Sequence, residues 1–219
     1  MRGRAMRWWP IVLVLVLVAL GSRAQAPPAS AAAPSPGPVV TVPPDYRNWL
    51  YASASLALSY PAEEAKLTSL ARAHLPPAKT ADQQPAFQNV FVSPDAYKAF
   101  AQTGHYPDKT VFVLEVRAGV PRQSKFLSPG GLYQGDVIAM RMEMRDDARY
   151  PSKWAWFNFT QPGGKGTPWV PAMPQPEPAA NCLQCHVLHG AVDDSFTQFY
   201  PTLFAIAKAK GTVKPGYAH

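Results

Sequence analysis

Both cysteines of this 219-residue chain fall in one stretch near its end, Asn181-Cys182-Leu183-Gln184-Cys185-His186-Val187-Leu188-His189-Gly190. Exported proteins usually use paired cysteines as staples, but a loop this short constrains almost nothing of the unfolded chain. The rest of the chain must therefore be held by an ordinary apolar core, and the two thiols are left for chemistry.

Three chemistries use two thiols at this spacing. A redox dithiol sits where a strand turns into a helix inside a βαβ unit. Here a Pro/Gly-loaded arm, residues 161–178, precedes the thiols, and no βαβ pattern surrounds them. A structural zinc site takes four ligands, normally as two separated pairs. Cys182, Cys185, His186 and His189 instead crowd into eight residues. Covalent haem attachment accounts for every part: two thiols add across the haem vinyl groups, and the adjacent histidine becomes an axial ligand. The expected cofactor is one haem c, joined through Cys182 and Cys185, with His186 on the iron. Small electron-transfer cytochromes carry such a motif near the start of a helical domain. Here it follows a β-rich domain, so the haem is expected to lie against a sheet.

The N-terminus fits a protein matured outside the cytoplasm. Arg2, Arg4 and Arg7 precede an apolar block at 11–20, and Ala24-Gln25-Ala26 offers a small-x-small cleavage pattern. This reads as a signal peptide over 1–26, its apolar core shorter than the roughly 20 residues a membrane span needs. A periplasmic location is expected, with no membrane contact after cleavage. Cleavage takes away four arginines and no acid, so the formal net charge falls from +7 to +3. That gives no reason to invoke nucleic acid or an anionic surface. Residues 27–44 hold seven prolines and no charge, and read as an extended linker. Residues 45–219 suit one domain with a single core.

Within that domain, residues 45–60 read as a short helix or strand, and residues 61–74 as a helix with Pro61 in its first turn. A β-rich run over 87–92 leads to Ser93, read as the cap of a helix with Pro94 in its first turn, Tyr97 and Phe100 inward, and Gly104 as its stop. On the strand 109–117, Val111, Val113 and Glu115 share one face, and Phe112, Leu114 and Val116 the other. On the next strand, Ile138, Met140, Met142 and Met144 are expected to face in, and Arg141 and Glu143 out. "KWAWFNF" is a further strand, and a terminal helix begins near Pro201 and ends at Gly211. Hairpin-like spacing with a few helices predicts an α+β domain, mainly antiparallel sheet.

Five segments then carry a resemblance: "DYRNWL", "VFVSPDAYKAFAQTGHYPDKTVFVLEV", "GDVIAMRMEMRD", "KWAWFNF" and "NCLQCH…FTQFYPTL". In this order and spacing the chain resembles the cytochrome P-460 family, which includes the cytochrome c′-beta proteins, with residues 59–84 as an insertion. The resemblance implies an antiparallel β fold, a homodimer, and a five-coordinate haem c open to nitric oxide, carbon monoxide or hydroxylamine. Cys182, Cys185 and His186 match the attachment and proximal positions. Hydroxylamine-oxidising members carry a haem-crosslinked lysine in a T-V-x-V-K-E pattern; this chain reads Thr110-Val111-Phe112-Val113-Leu114-Glu115. Leu114, with Phe112 behind it, is similar to the apolar distal side of the c′-beta branch. The nearest lysine, Lys109, points to the opposite face unless a bulge intervenes.

Further candidates have plainer alternatives. Glu177 is a candidate distal base, against a solvated glutamate in the arm. Gln88, where hydroxylamine-oxidising relatives tend to carry arginine, and Tyr106 are candidate pocket residues, against ordinary packing. His189 reads as a surface histidine, and the Met140/Met142/Met144 stripe as core before thioether ligand. The leading expectation is an exported haem protein that binds or scavenges nitric oxide. A hydroxylamine or nitric oxide oxidoreductase is the alternative, and an electron-transfer cytochrome passing electrons to a partner cytochrome the second.

Overall fold

The computed structural model describes residues 39–58, 85–121, 131–173, 176 and 182–217, all within one compact unit, Pro36–His219. Six strands form one antiparallel sheet in chain order: β1 (Leu50–Leu56), β2 (Phe87–Val92), β3 (Val111–Pro121), β4 (Leu132–Arg145), β5 (Trp154–Thr160) and β6 (Val170–Pro171). Helix α1 (Pro94–Thr103) joins β2 to β3, and α2 (Leu183–His189) and α3 (Pro201–Lys210) follow the sheet. The expected α+β architecture is the one observed. Residues 45–56 supply both readings of that segment, a 3-10 turn at Tyr46–Asn48 and then β1.

Both faces of the sheet are covered. On one, Val90, Val92, Phe112, Trp154 and Trp156 pack with Phe100 of α1, Tyr106, and Leu203 and Ala207 of α3. On the other, Phe91, Val113, Met140, Met142, Phe157 and Phe159 pack with Val40 and Tyr46 from the segment before β1. A sheet buried on both sides loses the apolar-in, polar-out alternation, and β4 shows the consequence. Met140 and Met142 are core, as expected, but Glu143 is 7 % exposed rather than outward. Ile138 reverses the other way and is 56 % exposed. Val116 pairs with Ala139 while Arg117 pairs with Val137, so Ile138 is an extra residue in a bulge and is turned out of the inward series.

The helix ends follow the sequence signals with one change. Gly104 takes φ 76° and its N–H donates to Phe100 O at 2.7 Å; Gly211, at φ 70°, ends α3. Ser93 precedes α1 without a side-chain cap; instead the Val111 N–H donates to Ser93 Oγ at 3.3 Å, tying the helix start to β3. Within the segment read as linker, Val40 is buried against the sheet and Val42 packs beside it. Two valines in a Pro/Ala run are enough to join the back core. The arm at 161–178 contains the two-residue strand β6. The signal-peptide segment, the 59–84 insertion with its expected helix, and Glu177 lie outside the described residues.

Candidate functional site

Helix α2 is short, and its position is fixed by the loop behind it. Cys182 precedes the helix, and Cys182 O accepts the His186 N–H at 3.1 Å; the Gly190 N–H closes on His186 O at 2.7 Å. A Cβ on Gly190 would lie 2.5 Å from the Asp194 carbonyl carbon and 2.6 Å from His186 O, so only glycine lets the chain double back here. The return runs through Asp193 and Asp194, both left-handed at φ 46° and 61°. Aspartate tolerates that region better than most side chains, and local bonds hold it there. Asp193 accepts the Tyr106 N–H at 2.8 Å and lies 3.0 Å from His105 Nδ1; Lys214 Nζ donates to Asp194 Oδ1 at 2.8 Å.

This turn aims the Asp194 carbonyl at His186 Nδ1, 2.9 Å away. A carbonyl only accepts, so Nδ1 donates in this contact and Nε2 is the ring nitrogen left for a metal. The ring packs against Trp156 and Phe196, with centroids at 4.6 and 4.4 Å. Glu143 Oε1 stands 3.4 Å from Nδ1. Glu143 and Trp156 are cross-strand partners, and Glu143 Oε1 and Trp156 Nε1 are both buried without a hydrogen-bond partner.

Strand register sets what lies beside the histidine. Phe112, Glu143 and Trp156 form one row across β3, β4 and β5; Val90, Leu114, Arg141 and Asn158 form the next, two residues along. Cys182 and Leu183 pack against the cluster that contains Phe112 and is flanked by Leu114. The attachment helix therefore sits on the Phe112/Leu114 face, and Arg141, expected outward, lies on it too. Both thiols are half-buried and neither is in a disulfide.

Gln88 pairs with Val116 on the same face as Leu114, and its amide donates to Leu58 O at 3.3 Å. Tyr106 is a core residue, 2 % exposed, stacked on Phe100 at 4.3 Å and hydrogen-bonded to Thr197 Oγ1 at 2.9 Å. Phe112 and Trp154 meet the same ring edge-on, at 5.1 and 6.1 Å. Lys109 precedes β3 and pairs with Asp146 at 2.6 Å. The β2–β3 register runs without a shift through Leu114, and Lys109 stands before the strand, left-handed at φ 65° and exposed. His189 lies at the end of α2, half-buried rather than on the surface, and its carbonyl accepts from Gln198 Nε2 at 2.7 Å. Met140 and Met142 belong to the opposite face from His186. Sequence reasoning missed Glu143, Trp156, Phe196 and the Asp194 carbonyl. A glutamate inside a methionine run was the one available signal.

The profile of the cytochrome P460 family matches residues 43–197, which span all six strands, α1 and α2. The chain belongs to the cytochrome P460 family. Cytochrome P460 proteins are haem proteins that act on nitrogen compounds, so a haem cofactor is implied. The residues present fit one: an imidazole with its Nδ1 already committed, two thiols three residues apart, and a sheet face that carries Phe112 and Leu114. The match ends at Thr197, so α3 lies beyond the P460 segment. No curated protein matches the chain.

Proposed function

We propose that the chain is an exported c-type haem protein that captures nitric oxide or a similar small nitrogen-oxide ligand. Cys182 and Cys185 would hold the haem covalently, and His186 Nε2 would ligate its iron. The haem would supply an iron able to bind a small diatomic ligand. Export rests on the N-terminal arginines, apolar block and Ala24-Gln25-Ala26 pattern.

One observation carries the choice of binding over hydroxylamine oxidation. The sheet face that seats α2 offers Leu114 where an amine would be needed, and the nearest lysine is engaged by Asp146. Leu114, Phe112 and Val90 give that face an apolar patch, beside Glu143, Arg141 and Asn158 in the same rows, and the patch favours an uncharged ligand. Electron transfer through a methionine-ligated iron is disfavoured because Met140 and Met142 lie across the sheet from His186.

The test is the absorption spectrum of the reduced holoprotein before and after nitric oxide, with peptide mapping of the bound haem. A five-coordinate ferrous spectrum that changes on adding nitric oxide is expected, with haem on the Cys182–Cys185 peptide alone. A second haem-linked peptide would instead support an oxidoreductase, and a low-spin spectrum unresponsive to nitric oxide would support electron transfer.

A further inference from the structure

Among the described residues, Glu143 is the charged side chain that stands against the His186 ring and that ligand capture leaves unused. Its side chain is 8 % exposed, on the middle of β4, where burying a charge is costly unless something compensates it. Its Oε1 has no hydrogen-bond partner and stands 3.4 Å from His186 Nδ1. The Nδ1 proton already has an acceptor in Asp194 O at 2.9 Å. The ring thus has two oxygen atoms on its Nδ1 side, one neutral and one carried by a carboxylate. Trp156, the cross-strand partner of Glu143, packs on the same ring and restricts its rotation.

We infer that Glu143 is a positioning residue for the axial imidazole: its buried carboxylate beside Nδ1–H makes His186 a stronger electron donor to iron. The inference rests on the reading that His186 ligates a haem iron. A carboxylate beyond a ligating histidine orients the ring and raises its basicity, and hydrogen bonding behind the axial ligand is a recognised lever on haem potential. The negative charge also favours ferric over ferrous iron. Glu143 therefore sets the oxidation state in which the open position waits for its ligand.

The experiment compares wild-type holoprotein with Glu143→Gln and Glu143→Asp, reading the haem midpoint potential and the ferrous Fe–His stretching frequency. Glu143→Gln keeps the shape and removes the charge. It is expected to move the ferrous-to-ferric ratio at fixed potential about tenfold toward ferrous, ~59 mV for one electron, and to lower the Fe–His frequency. Glu143→Asp should retain most of both. A Glu143→Gln protein matching wild type in both readouts overturns this inference and leaves ligand capture standing. Should that variant fail to accumulate, a wild-type Fe–His frequency equal to that of a haem ligated by an ordinary neutral imidazole overturns it equally. Wild-type protein without covalently bound haem brings down the parent reading and this one together.

Discussion

The Tyr46 hydroxyl donates to the Glu115 carboxylate across 69 residues of sequence, fastening the segment before β1 to the middle of β3. Arg117 donates to the other carboxylate oxygen, and Arg47 Nη2 donates at 2.6 Å to the same Glu115 oxygen as Tyr46. The side chain of Glu115 is 2 % exposed. Burial pushes its carboxyl pKa up, but the hydrogen bonds from Arg117, Tyr46 and Arg47 outweigh burial and hold it down to about 2. The Tyr46 hydroxyl moves the other way, raised first by burial and then by Glu115.

A carboxylate with a lowered folded-state pKa binds protons more readily once unfolded. The stability it contributes is present above its ordinary value of 4.5 and is lost as pH falls from there toward 2. Glu115→Gln should lose about 3 kcal/mol at neutral pH, as expected when a buried ion pair is broken from one side. Its stability should also fall less steeply between those pH values. Urea unfolding at pH 7 and pH 3 checks this, and parallel pH profiles in the two proteins would count against it.

Tyr106→Phe removes one buried hydroxyl and leaves the ring stack intact. Thr197 Oγ1 loses its 2.9 Å partner and keeps a 3.5 Å contact to Ser195 O. A cost of about 1 kcal/mol is expected, with nitric oxide affinity within about twofold of wild type because the ring sits in the core. A larger change in affinity would place Tyr106 at the pocket.

The antiparallel sheet and the ends of α1 and α3 were legible because each rests on a local signal: period-2 runs, Pro at helix starts and glycine at helix ends. The β3 faces came out as read, with Phe112 and Leu114 toward α2 and Val113 and Glu115 away from it. Glu143 and Ile138 were misread because alternation tells which residues share a face, not which face is covered. The bulge at Ile138 depends on pairing with β3, which no window along β4 contains. The Asp194 carbonyl was invisible for a different reason. A backbone acceptor leaves no mark in residue type beyond the glycine that allows the turn.

That glycine makes the next test. In Gly190→Ala the new Cβ meets backbone atoms of Asp194 and His186, which cannot swing aside as a flexible side chain would. Overpacking of this kind costs about 2 kcal/mol. The strain falls on the turn that aims Asp194 O at His186, so nitric oxide dissociation should change together with stability. Stopped-flow release and urea unfolding, run on the same preparation, separate this from a purely structural defect. A variant destabilised with an unchanged release rate would show that the turn does not govern the histidine.

Leu114→Lys asks whether the face beside α2 is what restricts the chemistry. Leu114 is half-buried in the row between Val90 and Arg141, so replacing it with lysine gives up apolar burial worth about 1–2 kcal/mol. The protein should still fold, because a lysine stem covers apolar surface while its amine reaches past it. The amine then stands on the same face as Phe112 and the packed Cys182. With hydrogen peroxide supplied as oxidant, a bond between that nitrogen and the haem edge should form, with two hydrogens lost from the pair. The readouts are a haem-linked peptide containing position 114, a mass two units below the simple sum, and a shifted ferrous spectrum. Wild-type protein treated in parallel should give none of these. If the variant folds, holds haem and gives no such peptide, Leu114 does not border the haem edge, and the reason for preferring capture over oxidation is lost.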